Sequence, residues 1–286
     1  MMDGTANDAM IRRARAQPVR FFGALRLIGS IIRHRSLVWE MARRDLTDRH
    51  AGQVVGVVWL AVHPLLQFAV YAFLFAVVFK VRVGDRGPSD YLIYLFSGLV
   101  PWLLTQDVLA RSAGAIVENS SIVKKVMFPM EVLTAKTMVS SVAVQSVLFA
   151  AVVIYIVVAR QAIPLTFLLL PFLLVLHLAL LWGLALLLGS VTPYFRDVPE
   201  LVRVFVTLNI YLMPVLYLPD MVPAELRFVL AINPFSSLIW CYQDVLYSGS
   251  IRHPGAWVAL PLISAAALAV GSYVFVRLRQ HFADVL

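Results

Sequence analysis

Few residues in this chain of 286 have the types and spacing to do chemistry. The six histidines, His34, His50, His63, His177, His253 and His281, are scattered without metal-ligand spacing. Cys241 is the single cysteine, which excludes an intrachain disulfide and a thiolate metal cluster. No G-x-x-x-x-G-K-[ST] phosphate loop occurs, and no H-E-x-x-H, C-x-x-C or G-x-S-x-G. The expectation is a chain that neither hydrolyses ATP nor holds a metal. One cluster could handle a diphosphate at an interface: Asp197 and Glu200 beside Arg196 and Arg203. It would suit a lipid-linked sugar transferase. Asp107 stands four residues before Arg111, the favourable order for a helical ion pair.

The other candidates are uncharged. Gln67, Ser141, Gln145, Ser146, His177 and Asn209 sit inside apolar runs, accompanied by Tyr71, Trp102 and Tyr217. Amides and hydroxyls can line a wet path for a neutral, hydroxyl-rich substrate, and aromatic faces can stack on sugar rings. The same groups also serve to hydrogen-bond between helices, at about 0.6 kcal/mol each, or to form interfacial belts.

The elements that must position these residues are membrane helices. The chain is 61% apolar and 14% charged, against about 45–50% and about 25% in soluble domains. That balance excludes an ordinary soluble enzyme and a disordered chain. The first 53 residues hold no long apolar run, so no cleaved signal peptide is expected. Six later stretches can reach across a bilayer core, at 54–79, 91–109, 132–158, 165–188, 201–218 and 257–276. The expected organisation is an arm, 1–53, followed by an all-α integral membrane domain, 54–286.

Charge sets the orientation. Ten arginines precede the first span, Arg111, Lys124, Lys125 and Lys136 surround the second link, Arg196 and Arg203 lie at the fourth, and Arg277 and Arg279 follow the last span. Lys80, Arg82, Arg86, Arg160, Arg227 and Arg252 fall on the other side. Eighteen basic residues against six put both termini in the cytoplasm.

Three segments are too apolar for loops yet too short to span. In the arm, Phe21, Leu25, Ile28, Ile32, Trp39 and Leu46 recur near helical spacing, interrupted at Arg35 and Ser36. An Arg-rich helix with such a stripe suits the cytoplasmic interface, against anionic lipid. The segment 118–131 offers an N-cap at Asn119, Ser120 or Ser121, and Ile122, Val123, Val126 and Met127 form an apolar face with Lys124 and Lys125 opposite. Pro129 ends it. Such a short helix can dock in a partner's groove or anchor a connector to headgroups. The segment 219–254 holds a helix start at Asn233-Pro234 and a stop at Gly249. The roughly 20 Å helix between them cannot cross a core of about 30 Å. A re-entrant hairpin fits, with 226–231 as its shorter arm. A helix lying flat on the membrane is the alternative.

With the spans placed, motifs become recognisable. Arg44-Asp45-Leu46, Gly56-Val57-Val58-Trp59-Leu60 and His63-Pro64-Leu65-Leu66 resemble the start of ABC-2 type permeases that export polysaccharides. Phe96-Ser97-Gly98-Leu99-Val100-Pro101-Trp102 resembles their second-span signature, and Asn119 through Pro129 their cytoplasmic coupling segment. Met213-Pro214-Val215-Leu216-Tyr217 and Ile232-Asn233-Pro234-Phe235 are similar to their P-V-x-Y and N-P elements. Tyr242-Gln243-Asp244 stands where many members carry an Arg, and Met213 where a Ser often precedes Pro-Val.

The resemblance implies a type V exporter fold: six transmembrane helices, an interfacial helix, a coupling helix and an outer re-entrant hairpin. It implies a homodimer in the bacterial inner membrane, served by two separate ATPase subunits that bind ATP and Mg. This chain would bind no cofactor of its own and no nucleic acid. The substrate class implied is a polyprenyl-diphosphate-linked glycan, O-antigen first, with capsular chains or teichoic acid as alternatives. The coupling residues would be Asn119, Ser120, Ser121, Lys124, Lys125 and Phe128. Tyr71, Trp102, Gln67, Gln145, His177, Asn209 and Tyr217 would line the path, and Pro234, Phe235, Trp240 and Tyr242 would form a periplasmic gate. A membrane enzyme built on Asp197 and Glu200 is the competing reading. A scaffold without transport would leave the coupling-type segment unexplained.

Overall fold

The computed structural model describes residues 23–48, 56–79, 88–121, 128–161 and 163–285. Among these residues every regular element is helical. Helices α1 (Gly23–Arg33) and α2 (Arg35–Asp48) form the arm. Helical bonds from His34 N–H to the Ser30 carbonyl and from Val38 N–H to the His34 carbonyl run through their junction, so the expected interruption is only a local irregularity. The arm has two apolar faces. Leu27, Val38 and Ala42 are buried against the helices α5 and α10 described below. Leu25, Ile32 and Trp39, seven residues apart, all point outward. Part of the expected stripe is therefore an outer face, separate from the one that packs. Phe21 lies outside the described residues.

Helix α3 (Trp59–Phe73) continues as a π-helical turn, Leu74–Val78. Then come α4 (Pro88–Gly114), α5 (Glu131–Arg160) and α6 (Leu170–Val191), the last entered through a 3₁₀ turn, Leu165–Leu169. Helix α7 (Val198–Asn209) ends in a 3₁₀ turn, Ile210–Leu212. Helices α8 (Arg227–Ile232) and α9 (Pro234–Gln243) form a hairpin, and α9 runs into a second π turn, Asp244–Ser248. Helix α10 (Pro254–Leu278) and the short α11 (Phe282–Val285) close the chain.

Among the described residues four segments are long and apolar enough to cross a membrane: Asp90–Gly114, Glu131–Arg160, Leu165–Val191 and Pro254–His281. They match the second, third, fourth and sixth expected spans. The fifth differs. It was expected at 201–218, but helix begins at Val198 and stops at Leu212. That is roughly 24 Å of helix, and the chain then leaves helical form across Met213–Tyr217. Pro214 lacks an N–H and disfavours helix at Met213, which explains the stop.

Helix α4 is the centre of the bundle: 83% of its apolar window is buried, against 17% for α5. The tightest pair is α6 with α10. A Cβ on Gly271 would stand 1.9 Å from the Gly183 carbonyl oxygen, and one on Gly183 would stand 2.4 Å from the Ala267 carbonyl carbon. Lipid tails are as apolar as leucine, so membrane helices associate by this close backbone approach of small residues.

Overpacking ordinarily costs about 1–3 kcal/mol, and here the obstacle is backbone that cannot swing away. Gly271→Val should lower the thermal midpoint of the purified chain in detergent by several degrees or abolish its monodisperse peak. Gly255→Ala, where a Cβ meets nothing within 4 Å, should leave both unchanged.

Candidate functional site

Three polar regions stand out in an otherwise apolar bundle. The first is the hairpin end. Asn233 is the N-cap of α9, accepting at 3.0 Å from the Phe235 N–H, and Pro234 is in the first turn. Gly249, at φ +65°, ends the π turn. The break at Met213–Tyr217 is held by side chains from elsewhere. Tyr91 donates to the Leu216 carbonyl at 2.7 Å, and the Tyr94 hydroxyl lies 2.9 Å from the carbonyls of Pro214 and Tyr217. Gln243 donates to Pro214 at 2.6 Å, and Asn233 donates to Asn209 at 2.8 Å. Gly98 of α4 permits this approach: its missing Cβ would lie 3.0 Å from Ile239 and 3.3 Å from Gln243.

The π turn frees carbonyls in its turn, and these also find donors. Thr166 donates to Val245 at 2.8 Å, and the Arg160 guanidinium donates to the Tyr247 carbonyl. The buried Asp244 ties the hairpin to the start of α10. It accepts from the backbone of Arg252 and His253 at 3.1 and 3.0 Å and from the Trp257 indole at 3.1 Å, and it faces the His253 ring at 2.8 Å. Trp240 stacks on His253 with ring centroids 5.3 Å apart.

The second region joins the arm to the bundle. Arg111 of α4 ion-pairs with Asp45 of α2 and donates to Ser140 at 3.0 Å and Ser141 at 2.8 Å. Its expected partner Asp107 stands at 3.7 Å. Spacing along one helix finds Asp107, but only the fold brings Asp45 across. Close by, the buried Glu131 accepts from Ser30 of α1 and lies 3.8 Å from Arg279. Lys136 donates to Asn119 at 3.3 Å, and Asn119 donates to the Ala115 carbonyl at 2.8 Å.

The third region is a cavity of about 520 Å³ between α3, α4 and α5. Gln67 and Gln145 share it with Trp59, His63, Gln106 and Asp107. No pattern along the chain brought these six together. They come from three helices whose packing alone sets their order.

The remaining path candidates lie elsewhere. His177 and Trp102 are fully buried. Thr105 gives its proton to the Pro101 carbonyl, so it accepts from His177 Nε2 at 3.0 Å; His177 Nδ1 then accepts from Tyr242 at 3.1 Å. The ring bridges α4, α6 and α9. Trp102 packs edge-on against Phe235 at 5.5 Å. Asn209 is buried at the hairpin junction, Tyr71 packs on the Tyr91–Tyr94 cluster, and the Tyr217 hydroxyl donates to the Tyr211 carbonyl at 2.8 Å.

Of the four gate candidates, Phe235 and Tyr242 are buried, Trp240 is half-buried and Pro234 is exposed. Of the coupling residues, Asn119, Ser120, Ser121 and Phe128 are described; Lys124 and Lys125 lie outside the described residues. Asp197 and Arg196 are exposed, and Glu200 and Arg203 form a surface pair at 2.8 Å. Among the described residues no group of His, Cys, Asp or Glu could hold a metal ion.

Comparison with known proteins adds the following. The sequence pattern of the family described as ABC-2 type transporter matches residues 36–247. The O-antigen export system permease protein RfbA of Klebsiella pneumoniae is 25% identical over 256 residues, covering 87% of this chain and 95% of that protein. The protein of the same name from Myxococcus xanthus is 27% identical over 263 residues, covering 91% and 99%.

Removing one member of a partly buried charge pair weakens the network that holds the other, at about 1–3 kcal/mol. Asp45→Asn and Arg111→Met should each lower the thermal stability of the chain. In a double-mutant cycle their effects should fall short of additive by at least about 0.5 kcal/mol. Additive losses would mean that the two residues act independently.

Proposed function

Because this chain belongs to the ABC-2 type transporter family, we propose that it is the membrane-spanning permease subunit of an ATP-driven exporter of polyprenyl-diphosphate-linked polysaccharide, O-antigen above all. The observation that carries the reading is the family match over residues 36–247, which runs from the arm through the expected coupling segment to the hairpin. The relatives' names supply the substrate class.

In this reading the chain crosses the inner membrane six times, with α3 and α7 as the first and fifth crossings and both termini in the cytoplasm. The shorter α7 crosses because the turns of Met213–Tyr217 complete the passage, the carbonyls of Pro214, Leu216 and Tyr217 held by Tyr91, Tyr94 and Gln243. Two copies associate, and two ATPase subunits carry ATP and Mg and dock on residues 118–131. Asn119, Ser120, Ser121, Lys124, Lys125 and Phe128 receive them. The charge junction at Arg111 and Glu131 is placed to pass their movement to α4 and α5.

Gln67, Gln145, Tyr71 and Tyr217 contribute to the path directly. Trp102, His177 and Asn209 set its walls from within, which is what their burial supports. The hairpin forms the outer gate, with Pro234 and Trp240 at its surface and Phe235 and Tyr242 as its anchors. The outward face of Leu25, Ile32 and Trp39 suits an arm lying in the inner headgroup layer.

Expression of the chain with candidate phosphate-loop ATPases in a strain deleted for its own exporter tests the proposal. ATP-dependent surface glycan should appear with one of them, and export that persists without any ATPase would refute it. Reversing the charge of Lys124 and Lys125 should leave ATP hydrolysis running while export falls at least tenfold; wild-type export would remove both from the coupling surface.

A further inference from the structure

The cavity between α3, α4 and α5 has the chemistry of a sugar site. Its volume of about 520 Å³ falls within the roughly 300–1,000 Å³ of small-molecule pockets. Trp59 and His63, on its wall, are exposed, and Gln67, Gln106, Asp107 and Gln145 are half-buried. An indole face takes the C–H side of a sugar ring, and a carboxylate with neighbouring amides takes paired hydroxyls. Hydrogen bonds to the ionised carboxylate would be the strongest of these.

One of the polar groups is loosely paired and another lacks a donor among the described residues. Asp107 stands 3.7 Å from Arg111, beyond hydrogen-bond distance, because that guanidinium is turned onto Asp45, Ser140 and Ser141. The Gln145 carbonyl oxygen is shielded from water and has no hydrogen-bond donor among the described residues. An acceptor left empty at this depth is costly unless something arrives to donate to it. Hydroxyl groups donate; phosphate oxygens do not.

Charge decides what is refused. Among the described residues no lysine or arginine lines the cavity, and one carboxylate does. A diphosphate would meet repulsion without a counter-charge. The cavity also starts near Trp59 and Ala110, towards the arm, and reaches Gln67 and Gln145, halfway along α5.

From these observations we propose that the cavity is a binding site for neutral sugar residues of the lipid-linked glycan, with Trp59 as the stacking platform, Asp107, Gln106 and Gln67 as the hydroxyl-binding groups and Gln145 completing the wall. The diphosphate stays outside it, towards the headgroups. The proposal rests on the export reading but is tested apart from it, because binding needs neither ATPase nor transport.

The purified full chain in lipid nanodiscs is titrated with a polyprenyl diphosphate carrying a neutral disaccharide, with the same lipid lacking sugar, and with the free disaccharide. Tryptophan fluorescence reports binding. The glycosylated lipid should quench saturably, the free disaccharide should compete at higher concentration, and the bare lipid should do neither. Trp59→Phe should remove most of the quench. Asp107→Asn, or the uncharged pair Gln67→Leu with Gln145→Leu should the acidic variant unfold, should weaken binding at least tenfold. Val70→Ala, exposed on α3, should bind as the wild type does. Equal binding of the bare lipid, or wild-type affinity in the cavity variants, would overturn the proposal. Failure of ATP-dependent export with intact sugar binding would instead count against the export reading.

Discussion

A carbonyl that leaves a helix inside a bilayer has no water to turn to, at a cost of several kcal/mol. The hairpin end of this chain meets the same need for its broken backbone from within the protein. Proline at 214 forces α7 out of helical form; the turn that follows keeps one backbone bond, from Val215 N–H to the Met213 carbonyl, and the carbonyls of Pro214, Leu216 and Tyr217 take side-chain donors. Tyr91 and Tyr94 reach them from α4 and Gln243 from α9. The π turn after α9 repeats the problem, and Thr166 and Arg160 answer it. These bonds need particular distances, whereas apolar packing against lipid needs almost none. The break and the hairpin therefore form one positioned unit, with α4 as its scaffold.

The opposite end uses a different chemistry. Asp45 with Arg111 and Glu131 with Ser30 fasten the arm to α4 and α5, and Arg279 of the C-terminal region approaches the same Glu131. Headgroups and water nearby lower the cost of burying charge there, so ion pairs are workable. Deeper in the bundle they give way to hydroxyls, amides and one imidazole. The change from charged to uncharged contacts along the helices follows the fall in dielectric from surface to core. It leaves an end with several charge pairs joined to an end where one buried carboxylate, Asp244, is matched by backbone, indole and imidazole groups.

Much of this was legible because it is local. Asn233-Pro234 and Gly249 bound α9 by rules that act over three or four residues, and the apolar runs marked α4, α5, α6 and α10. Motif order also carried real structure: Gly98 in Phe96-Ser97-Gly98 makes room for Ile239 and Gln243. What escaped was long-range. The i,i+4 rule pointed Arg111 at Asp107, and no local rule could name Asp45, 66 residues away. Gly183 and Gly271 look like ordinary small residues until α6 and α10 are brought into contact. The end of α7 was overrun because Met213–Tyr217 is as apolar as a helix would be, and hydropathy does not register a proline's missing donor.

The fold also sorts the polar residues that sequence could only pool. A fully buried side chain cannot line a wet path with groups already committed to its neighbours. His177 has both ring nitrogens engaged, by Thr105 and Tyr242, and Asn209 is bound to Asn233 and Met213. Their burial makes them fasteners of the bundle, at the modest energies such bonds carry in membranes. Asp107, about a third exposed and only loosely paired with Arg111, keeps acceptor capacity on the wall of a cavity that Gln145 also lines. Neither hydropathy nor spacing separates the two groups, since both are polar residues at similar depth. Hydrogen-bond satisfaction does separate them, and it moves the search for substrate contacts from the centre of the bundle to the cleft between α3, α4 and α5.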